Sequence, residues 1–270
     1  MRIGCCTNMI AEDAAGIGTN AFDLLAQSGY DYLELPLAQI MALTEAEFDE
    51  LLQKIKSSGL PCETCNNFFP AHIRITGPSA KPEAIRTYVK SALIRAKKLG
   101  AKRIVFGSSG AKNVPEGFSM EEAWQQIIQC LQIVDEELAG SDILIVIEPL
   151  NRLESNIVCL AKEGLALAEE VSLPHIRLLI DYYHLQMEQE PLDIVGKTKP
   201  FLQHIHIANP TGRVYPTTSD GVDYTHFLKA LKSSGYNQRV SVEAYSQDIA
   251  RDIPLALAAM RQADTESDKL

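Results

Sequence analysis

The chain has 270 residues, of which 46% are hydrophobic and 22% are charged, so it has enough apolar material for a large buried core. Its length is typical of one α/β-barrel domain. The formal net charge of -10, from 35 acidic and 25 basic side chains, repels a polyanion at long range and therefore disfavours a nucleic-acid partner.

The first residues and the cysteines indicate the compartment. The amino terminus runs into polar Thr7 and Asn8 without a secretory apolar core, and no apolar run approaches membrane-spanning length. We therefore expect a cytoplasmic protein without a membrane partner, whose six cysteines are free thiols. Cys62 and Cys65 have C-x-x-C spacing but fall within a predicted strand, which disfavours a redox or zinc site.

Short β-rich runs alternate with amphipathic helical runs eight times along the chain. This alternation is typical of a parallel sheet covered by helices. The predicted strands are residues 2–6, 32–35, 62–66, 103–107, 143–148, 176–181, 203–208 and 239–243.

Local signals mark where the helices begin and end. Thr44 with Glu47, and Ser119 with Glu122, have the spacing of capping boxes, which begin helices. Helix ends are predicted just before four strands, where a left-handed residue suits the C-cap. The residues at these positions are Gly29, Gly59, Gly100 and Gly235.

These elements predict a single (β/α)₈ TIM barrel over residues 1–263, followed by a flexible tail at 264–270. The run 143–147 is apolar throughout, as expected for a strand buried on both faces. A doubly wound open sheet is the alternative. It is disfavoured because no G-x-G-x-x-G motif follows the first strand.

In such a barrel the reactive groups lie at the carboxyl ends of the strands. Several carboxylates meeting there repel each other unless a cation balances them, although each one alone is also compatible with an ordinary salt bridge. Two glutamates, one aspartate and one histidine suit Mn²⁺, Mg²⁺ or Co²⁺ better than a structural zinc. His204 lies one layer deeper than His206 and is predicted to be a packed core histidine. The polar residues near strand ends are Glu34, Asn66, Glu148, Asp181, His206 and Glu243.

Four segments carry a family resemblance. They are Glu-Pro-Leu-Asn-Arg-Leu-Glu at 148–154, Asp-Tyr-Tyr-His at 181–184, His-Ile-Ala-Asn at 206–209 with Arg213, and Val-Glu-Ala at 242–244. Together they resemble the xylose-isomerase-like sugar isomerase/epimerase superfamily, and within it the D-tagatose 3-epimerase and D-psicose 3-epimerase group. The resemblance implies one divalent metal ion, Mn²⁺ first, a small-molecule sugar substrate and a homodimer or homotetramer.

The resemblance also implies roles for individual residues. Glu154, His184 and Arg213 would bind oxygens of a ketose, and Asn66 is placed with them as a substrate-binding residue. Two departures from the group are Asn209, where an acid is frequent, and the seven-residue gap from His206 to Arg213. The metal ligands that the resemblance implies are Glu148, Asp181, His206 and Glu243.

The residue set itself indicates a chemistry. Inverting a carbon beside a ketone requires removal of a C–H proton, a stabilised enediolate and return of a proton to the other face. Glu148 and Glu243 reach the centre from strands three positions apart, so we predict that they form the acid/base pair. The resemblance implies that the reaction is a C-3 epimerisation. Tyr182, Tyr183 and the pair Phe68–Phe69 are expected to line the pocket or to pack as ordinary residues at its rim.

Other functions remain open at this point. A hydroxypyruvate-type isomerase or an inosose-type dehydratase would use the same metal and enediolate. An endonuclease IV-like phosphodiesterase would need more strand-end histidines and a basic surface, and a non-enzymatic sugar-binding protein would not need the acids. A Schiff-base aldolase lacks a convincing lysine near a strand end, and the segment 107–110 offers only a weak phosphate-loop signal.

Overall fold

The computed structural model describes residues 1–269, and within them eight parallel strands pair in chain order. The last strand pairs with the first, at Ile3 with Val240, so the sheet closes into a barrel. The predicted (β/α)₈ fold is confirmed, and the open-sheet alternative is wrong because a closed sheet has no free edge. The strands, β1 to β8, are Arg2–Cys6, Tyr32–Pro36, Cys62–Asn66, Arg103–Phe106, Leu144–Ile147, Ile176–Asp181, Leu202–Ile207 and Arg239–Val242.

Helices follow the strands and cover the barrel. Their apolar faces and the strands form one large core, and Val105, Val146 and Leu179 form a second, smaller cluster. The helices, α1 to α11, are Phe22–Ser28, Leu37–Met41, Glu45–Ser58, Pro82–Leu99, Ser109–Lys112, Met120–Glu137, Ala161–Val171, Tyr182–Met187, Ile194–Thr198, Tyr224–Ser233 and Ile249–Ser267. Among residues 1–269, none of them has both the length and the apolar character needed to cross a membrane.

The predicted helix signals are present. Thr44 and Glu47 form a reciprocal capping box at the start of α3, and the Ser119 side chain accepts a hydrogen bond from the Glu122 backbone N–H at the start of α6. Gly59 and Gly100 adopt left-handed conformations after α3 and α4, as a C-cap requires. The six cysteines are buried and free within the described chain, as predicted.

The carboxyl end of the chain is more ordered than its composition suggests. Residues 264–267, placed in a solvated tail by the sequence analysis, form the last turn of α11. Asp264 pairs with the terminal ammonium group at 2.7 Å and with Lys232 Nζ at 2.8 Å, and Ser267 is fully buried. These partners come from distant parts of the chain, so local polarity does not reveal them. Leu270 lies outside the described residues.

Candidate metal centre

Four polar side chains meet where the last four strands end. Asp181 is the last residue of β6, His206 lies in β7, and Glu148 and Glu243 directly follow β5 and β8. All four are buried, and one ligand atom from each lies within 4.8 Å of the others. The predicted convergence of Glu148, Asp181, His206 and Glu243 is therefore confirmed. We call these four residues the acidic cluster.

His206 stands between two of the carboxylates. Its Nδ1 lies 2.9 Å from Glu148 Oε1 and 3.3 Å from Glu243 Oε2. A guanidinium nitrogen of Arg213 donates to Glu243 and lies 3.5 Å from Asp181 Oδ2. The acidic cluster thus has three carboxyl groups facing one imidazole and one guanidinium.

Burial controls the charge of these carboxyl groups. It raises the pKa of Asp181 to about 7, against the opposing effect of Arg213. It also raises the pKa of Glu148, because His206 only partly compensates for the lost water. At Glu243 the pKa is lowered, since Arg213 and His206 together outweigh burial. A further positive charge would therefore be needed to ionise the whole acidic cluster at neutral pH.

The residues fit a divalent cation. Asp181 Oδ2 is buried and has no hydrogen-bond partner within residues 1–269, and the same holds for His184 Nε2, 3.4 Å away. Buried polar atoms without partners are uncommon and point to a missing ion or ligand. Three carboxylates with one imidazole form a hard, oxygen-rich donor set of the kind that Mn²⁺ or Mg²⁺ accepts.

A glycine makes room for one of the candidate ligands. A Cβ atom at Gly107 would lie 2.0 Å from Glu148 Oε2, a distance that no side chain tolerates. The neighbouring Ser108 Oγ accepts a hydrogen bond from the backbone N–H of Phe69. The segment 107–110, considered above as a weak phosphate loop, thus has a steric role beside the acidic cluster.

Three of the predicted substrate-binding residues lie together beside the acidic cluster. Arg213 Nη1 is 3.2 Å from both oxygens of Glu154. The backbone N–H of Asn151 donates to His184 Nδ1 at 3.2 Å, which leaves the ring proton on Nε2, the atom that faces Asp181. Burial and the charge of Arg213 lower the pKa of His184, so its ring is neutral.

Asn66 lies beside Glu243 of the acidic cluster. Its Nδ2 donates to Asn8 Oδ1 at 2.7 Å and lies 3.5 Å from Glu243 Oε1. Its Oδ1 is buried and accepts no hydrogen bond from any described residue. Asn66, His184 and Arg213 therefore lie next to the acidic cluster, and Glu154 is joined to it through Arg213.

Two further polar residues at this end were not assigned a role from the sequence. Glu34 bridges His206 and His204, at 2.8 Å from Nε2 of each ring. His204 is fully buried in this pair, consistent with the predicted core histidine. Lys112 is also fully buried, 3.4 Å from the carbonyl oxygen of Glu148, and burial lowers its pKa to about 8. Glu34 was visible at a strand end, whereas Lys112 lies in a short loop helix that no pattern marks.

The expected aromatic lining is only partly correct. The ring of Tyr182 packs on Phe227 of α10, 4.7 Å between centroids, and so faces the helix layer instead of the pocket. Tyr182 is the first residue of α8, and its contact with α10 corresponds to the packing alternative. Tyr183 stacks on the guanidinium of Arg213, 4.8 Å from the ring centroid. Phe68 and Phe69 are buried against each other at 4.3 Å, and Phe69 also borders an open groove.

Known proteins are similar to this chain in sequence and in fold. The Escherichia coli (strain K12) hydroxypyruvate isomerase is 28% identical over 166 residues, which span 60% of this chain and 63% of that protein. The Methylomonas sp. (strain DH-1) L-ribulose 3-epimerase is 28% identical over 232 residues, or 83% of this chain and 77% of that protein. A crystal structure of D-allulose 3-epimerase from Methylomonas sp. superimposes with a TM-score of 0.83 at 22% identity, covering 97% of this chain and 98% of that one.

The family profile described as xylose isomerase-like TIM barrel matches residues 22–263. This match includes Glu148, Asp181, His206 and Glu243. The closed eight-stranded barrel, the buried acidic cluster and the profile agree, and the chain belongs to the xylose isomerase-like TIM barrel family.

Proposed function

We propose that this protein is a divalent-metal-dependent sugar isomerase/epimerase that inverts C-3 of a small ketose. The observation that carries the proposal is the placement of Glu148 and Glu243, which approach the same His206 Nδ1, at 2.9 Å and 3.3 Å, from different strands. Two carboxyl groups that approach one point from different strands suit the removal and return of a proton on opposite faces of a sugar carbon.

The acidic cluster is the proposed metal site. Mn²⁺ is the proposed ion, and Mg²⁺ or Co²⁺ would also suit the donor set. An ion bound at Glu148, Asp181, His206 and Glu243 would supply Lewis-acid stabilisation of negative charge on the sugar oxygens. Burial of all four side chains excludes competing water and strengthens this electrostatic effect.

The protein residues would move the proton. One glutamate of the pair takes the proton from the carbon beside the ketone, and the electrons of the broken C–H bond delocalise into an enediolate. The other glutamate donates its proton to the opposite face of the same carbon, which re-forms the ketone with inverted configuration. The two carboxyl groups end with exchanged protonation states, so they reset by exchange with solvent or by the reverse reaction.

The neighbouring residues would orient the sugar. His184 carries its proton on Nε2, which faces the acidic cluster and suits donation to a hydroxyl or carbonyl oxygen. Asn66 Oδ1, which has no hydrogen-bond partner among residues 1–269, suits a hydroxyl donor. Arg213 and Glu154 form an ion pair at the edge and would bind further oxygens of the substrate.

An aldose–ketose isomerase is the second candidate, favoured by the 28% identity to a hydroxypyruvate isomerase. It would share the enediolate but return the proton to the neighbouring carbon, so the position of the product carbonyl separates the two. A dehydratase would release water instead. A many-histidine phosphodiesterase site is disfavoured, because among residues 1–269 the acidic cluster contains one histidine, His206, with His184 beside it.

Hydrogen exchange tests the proposal. The Mn²⁺-loaded protein is incubated in deuterated water with a panel of free ketohexoses and ketopentoses, and the sugars are analysed by NMR. We expect deuterium at C-3 of at least one ketose, together with its C-3 epimer. Glu148→Gln and Glu243→Gln should each abolish this incorporation, whereas Glu121→Gln on α6 should not. Incorporation that persists in either cluster variant, or none with any sugar, would contradict the proposal.

A further inference from the structure

The two ring nitrogens of His206 face different surroundings. Nδ1 faces Glu148 and Glu243 in the acidic cluster. Nε2 faces the barrel interior and lies 2.8 Å from Glu34 Oε1. The imidazole thus connects the acidic cluster to a deeper layer of polar side chains.

Glu34 is held firmly in that deeper layer. Its Oε2 accepts hydrogen bonds from Ser241 Oγ at 2.5 Å and from His204 Nε2 at 2.8 Å, while Tyr32 is bonded to Ser241 at 2.8 Å. All of these side chains are fully buried. Both oxygens of Glu34 therefore have fixed partners, and only one of them faces His206.

We propose that Glu34 is a positioning residue that orients His206 for metal binding, by accepting the Nε2–H proton and leaving the Nδ1 lone pair for the ion. Metal-bound histidines commonly donate their second ring nitrogen to a carboxylate, which fixes the tautomer and makes the ligand more basic. The residues Ser241, His204 and Tyr32 act one step further away, by holding Glu34. This inference rests on the proposed metal site at the acidic cluster.

The geometry offers one competing arrangement. Cys6 Sγ lies 3.8 Å from His206 Nε2, and Cys6, Glu34 and His206 are also close enough to hold an ion. That group has three donors instead of four and includes a thiol. Nε2 is also already paired with Glu34 at 2.8 Å, whereas Nδ1 faces two carboxylates of the acidic cluster. We therefore place the ion on the Nδ1 side of the ring.

Metal affinity tests the inference without any substrate. Mn²⁺ binding is measured by isothermal titration calorimetry for the wild type, Glu34→Gln, Ser241→Ala and Cys6→Ser. In Glu34→Gln, the amide NH₂ must face either His206 Nε2–H or the donors of Ser241 and His204. In both orientations a donor therefore faces another donor. We expect this variant to bind Mn²⁺ about 10- to 100-fold more weakly.

The two other variants serve as matched comparisons. Ser241→Ala removes one support of Glu34 and should weaken Mn²⁺ binding less than Glu34→Gln. Cys6→Ser changes a side chain beside His206 Nε2 but leaves Glu34 in place as the acceptor. It should bind Mn²⁺ as tightly as the wild type. Circular dichroism and thermal melting of the metal-free proteins show which variants are folded.

A second measurement is made on the wild-type protein. In wild-type protein labelled with ¹⁵N-histidine and loaded with diamagnetic Mg²⁺, His206 should carry its proton on Nε2, and its Nδ1 should shift on metal addition. The signal is assigned by comparison with His204→Gln. A proton on Nδ1, or a metal-dependent shift at Nε2 alone, would overturn the inference.

The outcomes separate this inference from the proposed function. A wild type that binds no divalent ion overturns both. If Glu34→Gln binds Mn²⁺ as tightly as the wild type, the role of Glu34 is overturned and the proposed metal site is unaffected. Loss of Mn²⁺ binding in Cys6→Ser places the ion on the other side of His206 and overturns the inference as well.

Discussion

Both ends of the barrel are rich in charged side chains, but the charges are paired differently at the two ends. At the amino ends of the strands, Glu63 accepts from Arg2 and from Arg239, the latter at 2.5 Å, and the Nη2 of Arg103 is bonded to Gln203 and Gln238. At the carboxyl ends, three buried acids face one imidazole and one guanidinium, and Asp181 Oδ2 has no hydrogen bond within residues 1–269.

The difference teaches how to tell a stabilising charge from a functional one. At the amino ends of the strands, the charged side chains named above are bonded to other protein groups, so they contribute to the stability of the fold. At the carboxyl end the protein leaves carboxyl groups undercompensated, which costs stability and is retained where a site needs it. The predictions below alter one end at a time and compare the effects on metal binding, exchange and stability.

Removing a ligand should have the largest effect on metal binding. Asp181→Asn leaves the size of the side chain but removes its charge, so we expect Mn²⁺ affinity to fall by more than about 100-fold, beyond the usual loss for an outer-shell partner. Calorimetric titration measures this. Asp142→Asn, at the amino end of β5 in an exposed pair with Lys102, is the matched control and should bind normally. Equal affinity in Asp181→Asn would remove this residue from the proposed site.

Crowding Glu148 should have the next largest effect. In Gly107→Ala, the new Cβ would overlap Glu148 Oε2, so the carboxylate must move by an ångström or more. A shift of about 1 Å in a catalytic group can cost roughly 100-fold in rate. We expect a loss of that order in deuterium exchange into the ketose. The control is Gly196→Ala, since that position has open space and should keep wild-type exchange.

Changing the amino end should affect stability alone. Glu63→Gln weakens the charged hydrogen bonds to Arg2 and Arg239, so we expect the free energy of unfolding to fall by about 2 kcal/mol. Denaturant unfolding measures this change. Mn²⁺ affinity should not change, and a clear loss of affinity would show that the two ends are coupled.

The smallest effect is expected at Asp264, with a defined pH dependence. Burial alone would raise its pKa, but hydrogen bonds from Lys232 and the terminal ammonium outweigh it and lower the pKa below 3.8. A carboxyl with a lowered folded-state pKa stabilises the fold above its unfolded pKa and loses that contribution as pH falls through the folded value. Asp264→Asn should therefore melt at a lower temperature than the wild type at pH 7, and the gap should close on acidification. A gap that does not change with pH would contradict the assignment.

The fold could be predicted because its signals are local and repeated. The strand predicted at 62–66 matches β3, and the eightfold alternation with capping boxes is sufficient to indicate a barrel. The acidic cluster could be predicted for a related reason. Parallel strands bring their carboxyl ends together, so Glu148, Asp181, His206 and Glu243 had to meet once each was placed at a strand end.

The remaining features depend on contacts that local patterns do not contain. Glu34 and His206 are 172 residues apart, and their hydrogen bond depends on which layer of the barrel interior each side chain enters. Gly107 matters through the side chain that it lacks, which has meaning only once the position of Glu148 is known. The packing of Tyr182 against α10 depends on where α8 begins. The helix at 264–267 depends on a partner from the other end of the chain.

Anomalous diffraction from a crystal soaked in MnCl₂ tests the central claim most directly. We predict one strong manganese peak per chain, coordinated by Glu148, Asp181, Glu243 and Nδ1 of His206. A peak beside Cys6 and Glu34 instead, or no peak within reach of these four side chains, would contradict the account.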